Sequence, residues 1–263
     1  MRFTAFASGS GGNCALAEGR DANVLLDAGI SLRRIRTALG LRGLALEDVA
    51  GVFITHEHSD HVSALKMLLK YCDMPVYAPG TVGRRLCGML PELEDRVVLI
   101  KPGVPVQLGS LTVTAFPTSH DTDGSVGYRL SDGEESFGLC TDTGVVTDEI
   151  LEALRGCAAA LIEANHDLDM LYNGPYPLPL KRRILSSRGH LSNAAAGELA
   201  CALAESGAAR ILLGHISREN NTPRKALAAV RQALDSRGFE GVEVLAALQD
   251  EAVSLEVPCC VFK

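Results

Sequence analysis

Tryptophan is absent from the 263 residues, and aromatic side chains make up only 5% of them. The core must therefore rest on aliphatic side chains, with the few rings placed where large volume is needed. Long apolar runs are missing too: none approaches the roughly 18 residues that span a bilayer as a helix. The start, Met1-Arg2-Phe3-Thr4-Ala5-Phe6, lacks the extended apolar stretch of a secretory leader. A cytoplasmic protein that does not enter the membrane is expected. No CxxC occurs among the eight cysteines, at 14, 72, 87, 140, 157, 201, 259 and 260. Most sit in apolar segments, which points to buried thiols rather than disulfides. Cys259-Cys260 could bind metal or be oxidised; a frayed tail is the expectation. Positive charge is short as well: 25 Lys and Arg against 32 Asp and Glu leave a net charge of −7. That excludes a protein basic all over, but not a nucleic-acid partner, for which a local basic patch suffices. Repeats, linkers and low-complexity tracts are also lacking. With 47% hydrophobic residues, the chain reads as one globular α/β domain over 1–263.

What the chain does have is concentrated in Thr55-His56-Glu57-His58-Ser59-Asp60-His61, which holds three of its seven histidines. Histidine and carboxylate are the usual ligands of zinc-like and manganese-like ions. Upstream, Val52-Phe53-Ile54 reads as a buried strand. Downstream, Val62, Leu65, Leu68 and Leu69 mark one face of a helix reaching Tyr71. The histidines thus sit on a strand-to-helix loop, where a rigid scaffold can hold reactive groups.

Other stretches are ambiguous when taken singly. Residues 2–6 read as a strand, followed by the loop Ala7-Ser8-Gly9-Ser10-Gly11-Gly12-Asn13-Cys14. Its backbone amides could approach a phosphate, or it is a flexible hairpin loop; no Gly-Lys-Ser/Thr follows, so it is not a P-loop. Residues 23–29 read as a strand ending in Asp27-x-Gly29, and Ser31 as the cap of a helix. Strands are expected near 75–78, 96–100, 104–108 and 111–116, with a helix over 79–90. His120 follows the last of these strands. Asp132-Gly133 marks a hairpin turn, and the second arm of that hairpin ends at Thr141-Asp142-Thr143-Gly144. A buried strand over 158–163 leads to Glu163-Ala164-Asn165-His166-Asp167. Lys181, Arg182, Arg183 and Arg188 precede Gly189-His190-Leu191-Ser192-Asn193. They read either as an anion-binding element flanked by tyrosines or as a solvated helix face. A helix over 193–204 and a strand over 210–213 lead to Gly214-His215. Thr222 caps a helix running to Leu234 with Pro223 at its first position, and closing strands are expected over 242–245 and 252–257.

Taken together, HxHxDH after a buried strand, the Asp27 turn, His120, Asp142 and His215 in this order resemble the metallo-β-lactamase superfamily, from Ala7 to Ser217. The resemblance implies a four-layer αβ/βα sandwich and two divalent metal ions, Zn²⁺ or Mn²⁺. It implies His56, His58 and His120 on one ion, Asp60, His61 and His215 on the other, and Asp142 bridging. Asp27 would orient the histidine loop. The implied reaction class is metal-assisted hydrolysis, with Asp60, His190, Glu163 and His166 as the candidates for catalytic work. The loop Ser8 to Asn13, with the segments around Glu163 and His190, resembles the bacterial YycJ/WalJ group. That likeness implies 5′-to-3′ exonuclease action on double-stranded DNA and a link to mismatch repair. Under that reading Ser8, Ser10, Asn13, Lys181, Arg182, Arg183, Arg188, Ser192 and Asn193 are candidate substrate contacts. A small-molecule hydrolase, cleaving a thioester or cyclic phosphodiester, and a non-catalytic metal sensor are the other classes the sequence admits.

Overall fold

The computed structural model describes residues 1–257, so Cys259 and Cys260 lie outside the described residues. The chain lays down two seven-stranded sheets in turn. The first contains β1 (Arg2–Ala7), β2 (Cys14–Glu18), β3 (Asn23–Leu26), β4 (Val49–Phe53), β5 (Val76–Pro79) and β6 (Val97–Ile100). The second contains β7 (Pro105–Leu108), β8 (Leu111–Pro117), β9 (Val126–Ser131), β10 (Ser136–Cys140), β11 (Ala159–Glu163), β12 (Arg210–Gly214) and β13 (Glu243–Ala246). The last strand, β14 (Val253–Glu256), returns to pair with β1 at the edge of the first sheet. Each sheet is antiparallel in one half and parallel in the other, the change falling at β3–β4 and at β10–β11.

Helices cover the outer face of each sheet. Among the described residues α1 (Leu32–Leu41), α2 (Ser59–Val62), α3 (Leu65–Tyr71) and α4 (Gly80–Met89) follow strands of the first sheet. With the second sheet come α5 (Asp148–Leu154), α6 (Leu168–Asn173), α7 (Leu178–Ile184), α8 (Asn193–Glu205) and α9 (Pro223–Ser236). The apolar side chains form three cores, one between the sheets and one under each helical layer. This is the expected αβ/βα sandwich. The scarce rings gather in the middle layer. Phe3 stacks on Phe137 at 3.9 Å and Phe53 on Tyr77 at 4.5 Å. Buried Tyr128 turns its edge to Phe53 and donates its hydroxyl hydrogen to the Ile54 carbonyl at 2.6 Å. That bond fixes the exit of β4, and so the start of the histidine loop, against the second sheet.

Local signals explain most boundaries. Ser31 caps α1 by accepting from Arg34 N, and Thr222 caps α9 by accepting from Lys225 N. The helix expected from Val62 to Tyr71 is broken instead into α2 and α3. The break falls where the Ala64 amide donates to the Ala28 carbonyl at 2.8 Å, which ties the helix to the Asp27 turn. Strand β2 and helices α5 and α6 have no counterpart in the sequence reading.

Candidate metal centre

The reactive side chains lie at the carboxyl ends of strands from both sheets, where loops converge on one edge of the sandwich. From β4 the chain passes through Thr55 to His56, both buried. His61, on α2, is fully buried and its Nδ1–H donates to Asp27 Oδ2 at 2.8 Å. Asp27 Oδ1 accepts from the Thr55 amide at 2.8 Å and from its hydroxyl at 3.0 Å. This carboxylate therefore orients His61 and anchors the loop start, which leaves His61 Nε2 facing the centre. Gly29 allows the loops to meet. A Cβ there would lie 1.6 Å from the Asp60 carbonyl oxygen, so no larger residue fits without moving the loop.

The second sheet supplies the rest. His120 follows β8 and its Nδ1–H donates to the Gly189 carbonyl at 3.2 Å. Its Nε2 then points at His58, 3.4 Å away, while His56 Nε2 lies 3.0 Å from the same His58 Nδ1. Beyond β11, fully buried Glu163 accepts on Oε1 from His190 Nδ1 at 2.7 Å and from His215 Nδ1 at 2.8 Å. Its Oε2 accepts from the amides of Thr143 and Leu191, at 3.1 and 3.2 Å. His215 is further held by its amide donating to Ser8 Oγ at 2.8 Å and its carbonyl accepting from Asn165 Nδ2 at 2.9 Å.

Only three non-glycine residues have positive φ among those described: Asp27 at 58°, Asp142 at 56° and His215 at 51°. Each follows the end of a strand and each points its side chain into this centre. Left-handed backbone costs an L-residue about 1–2 kcal/mol, and such outliers persist where surrounding bonds over-determine them.

Candidate ligand atoms of His56, His58 and His120 lie within 4.8 Å of one another, and so do those of Asp60, His61 and His215. Asp142 belongs to a group on either side, with His56 and His61 and with Glu163, His190 and His215. Divalent ions fit this donor set. Asp142 Oδ2 and His215 Nε2 are buried with no hydrogen-bond partner, an arrangement that costs free energy unless a cation satisfies them. The charges agree. Burial alone would raise the Asp142 pKa, but His215 and His61 hold it well below the carboxylate range. Burial alone would lower His61, yet Asp27 and Asp142 hold it up at about 10. Burial and the neighbouring His61 keep His56 neutral, and burial does the same for His120. The cluster thus binds protons that divalent cations would displace.

The centre floors a cleft of about 260 Å³. His58, Asp60, His120, Asp142, His190 and His215 open into it, and Ser10, Asn165, Tyr176, Leu180, Arg183, Ile184 and Ser217 complete the lining. Several candidates from the sequence stand elsewhere. Ser8 and Asn13 are turned inward, Asn13 Nδ2 lying 3.1 Å from His61 Nε2. Ser192 caps α8 and Asn193 is locked in a reciprocal amide pair with Asn221. Lys181 donates to the carbonyls of Tyr172 and Gly174 at 2.7 and 2.8 Å, which closes the turn between α6 and α7. Arg188 donates to the His120 carbonyl at 2.7 Å and to Asp123 at 2.8 Å. Arg182 is exposed and absent from the lining, which leaves Arg183 as the one cation of that run in the cleft. His166 is buried, with neither ring nitrogen hydrogen-bonded, and also lies outside the lining. Tyr176, Leu180 and Ile184 had no signal beyond their neighbourhood to the basic run. Glu57, one of the two carboxylates of the histidine-rich stretch, accepts from Arg85 at 2.6 Å and from Thr122, and so links the histidine loop to the His120 loop.

A family model described as the beta-lactamase superfamily domain matches residues 22–216. The chain is 34% identical over 242 residues to exodeoxyribonuclease YycJ of Bacillus anthracis, an alignment that covers 91% of each protein. It is also 34% identical to exodeoxyribonuclease WalJ of Streptococcus pneumoniae serotype 2, covering 84% of this chain and 83% of that protein. Among solved structures, the metallo-β-lactamase fold protein YhfI from Bacillus subtilis superposes with a TM-score of 0.74 at 17% identity, covering 97% of this chain and 99% of that one.

Proposed function

The chain belongs to the beta-lactamase superfamily as a metal-dependent hydrolase, and from that premise we propose that it cuts phosphodiester bonds of duplex DNA from a 5′ end. One coincidence carries the reading. The chain's relatives over most of its length are named exodeoxyribonucleases, and its ligand cluster stands beside a histidine–carboxylate pair that opens into a cleft. A cleft of about 260 Å³ suits a single nucleotide at a strand end better than a whole duplex, which fits exonuclease action.

In this reading His56, His58 and His120 would hold one ion and Asp60, His61 and His215 the other, with Asp142 available to both. When bound, two such ions lower the pKa of water and neutralise charge developing on a phosphoryl group. The residues around them position and move protons. Asp27 and the Gly189 carbonyl fix the ring faces of His61 and His120. Glu163 orients His190 through Nδ1, which leaves Nε2 for the cleft, where it gives a proton to the leaving oxygen. Burial would raise the Glu163 pKa, but His190 and His215 hold it at about 2, so it stays a carboxylate that accepts from both rings. Arg183 meets the phosphate, because a guanidinium pairs well with its oxygens. Zinc suits the histidines and manganese the two aspartates. A cytoplasmic enzyme of DNA repair is the setting this activity fits.

A single specific observation favours a different substrate. Net charge is −7 and only Arg183 of the basic run lines the cleft, which suits a small phosphodiester or thioester. Purified protein with Mn²⁺ or Zn²⁺ should release mononucleotides from 5′-labelled duplex DNA before a ladder forms from 3′-labelled DNA. Cleavage of a small phosphodiester, with duplex DNA left intact under both metals, would replace the nuclease reading with the small-molecule one.

A further inference from the structure

We propose that the consecutive helices α6 and α7 and the turn joining them form a stacking platform for the terminal nucleobase, with Tyr176, on that turn, as the ring on which that base rests. The proposal deepens the DNA reading above and rests on it. On α7, Leu180, Arg183 and Ile184 share one face by their spacing of three and four, and all three line the cleft. Tyr176 continues that wall at its mouth. It is half-buried, lines the cleft, and among the described residues has neither a ring partner nor a hydrogen bond through its hydroxyl. A half-buried tyrosine ordinarily finds a partner for its ring or its hydroxyl. Tyr172, 61% exposed, likewise lacks one, and Leu168, Leu178 and Leu185 leave large apolar surface open on the same pair of helices.

Apolar residues scattered singly over a surface mean little. Here they cluster on one supersecondary unit that also carries Lys181, Arg182 and Arg183. Rings set among cations beside a cleft are the chemistry of strand-end binding: the π-face takes the base and the guanidinium takes the phosphate. The platform is rigid, because Lys181 ties the α6–α7 turn by two bonds to the carbonyls of Tyr172 and Gly174. Tyr176 and Arg183 line the same cleft as the ligand cluster, so a base held on that ring keeps the adjoining phosphate within the cleft. The occupant is thus an unpaired terminal nucleotide. A stack of this kind also helps peel the last base from its complement, which the narrow cleft demands.

The metal-loaded protein is mixed with duplex DNA whose 5′-terminal base is 2-aminopurine and whose end linkages are phosphorothioate. Wild type should quench the probe on binding. Tyr176→Leu should bind about tenfold more weakly and lose the quench, since stacking on one ring is worth a factor of that order. Tyr176→Phe should keep both, because the ring and not the hydroxyl does the work. The chain has no tryptophan, so Tyr176→Trp places a sole indole at the site, and saturating DNA should quench its emission. This variant decides the matter if Tyr176→Leu folds poorly. Indole emission unmoved by saturating DNA, or a folded Tyr176→Leu that quenches the probe like wild type, overturns the platform while wild-type digestion of the duplex keeps the nuclease reading. A wild type that neither binds nor digests the duplex overturns both.

Discussion

One oxygen of Glu163 accepts hydrogen bonds from two histidines, His190 at 2.7 Å and His215 at 2.8 Å. A buried carboxylate so placed couples a candidate metal ligand to a candidate proton donor. Loss of its charge disturbs both at once. Glu163→Gln should lower metal affinity or turnover about 10–100-fold, the range for groups that orient ligands. Elemental analysis beside steady-state rates separates the two effects. Unchanged metal content and unchanged rate would mean that the pair is only architectural.

His190→Ala should behave differently. The ring opens to the cleft and belongs to neither three-histidine nor Asp-His-His group. Metal content and the thermal midpoint should stay near wild type while turnover falls about 10²–10⁴-fold, the usual loss of a proton-transfer group. A metal-depleted His190→Ala protein would reassign this histidine as a ligand.

Asp142 belongs to one candidate ligand group with His56 and His61 and to another with Glu163, His190 and His215. Asp142→Ala should therefore cost at least one of about two ions per chain. Mass spectrometry of the native protein and the variant counts them directly. Two ions retained in the variant would contradict a bridging position.

The basic run should divide by residue. Arg183→Glu should weaken duplex binding about tenfold at low salt and flatten its salt dependence, because one phosphate contact is lost. Lys181→Ala should instead lower the unfolding midpoint, because its ammonium ties two backbone carbonyls. Arg188→Ala should reduce metal affinity by loosening the His120 loop. Titrations at several salt concentrations, with melting curves, tell these three apart.

Acid should act through His166. Burial holds its pKa at about 4, against an ordinary 6.5. Between those values the unfolded chain binds a proton that the folded chain refuses. Stability therefore rises with pH across that window: this contribution is complete above about 6.5 and is lost as pH falls toward 4. Urea midpoints of metal-free protein measured across the window should be less steep in pH for His166→Gln. Equal slopes would place the ring in contact with solvent or a hydrogen-bond partner.

Much of this centre was legible because its residues cluster in sequence or sit at strand ends. The histidine loop announces itself by density, and Asp27, Asp142 and His215 each follow a readable apolar strand. Three-dimensional partnership was harder to see. The hold of Glu163 on His190 was expected, but its second bond, to His215, was not: only the parallel pairing of β11 with β12 brings Glu163 beside Gly214 and so beside His215. Charge spacing gave the basic run without its direction, so Lys181 and Arg188 looked like substrate contacts when they hold loops. Strand β2 escaped because Cys14-Ala15-Leu16-Ala17-Glu18 carries few of the β-branched residues that mark strands. Helix α5 escaped although Thr147 caps it, since a seven-residue helix leaves little periodicity to read.

The left-handed backbones of Asp27, Asp142 and His215 set what selection can do with this protein. Glycine at any of the three would relieve the main chain but strip a partner from the buried cluster: Asp27 holds Thr55 and His61, Asp142 faces His61 and His215, and His215 bonds to Glu163. An orphaned buried charge costs more than the relaxed backbone returns. A library screened for stability of the metal-free protein alone should therefore leave these three positions unchanged, so the parts of the fold that carry its chemistry are also ones it cannot shed cheaply.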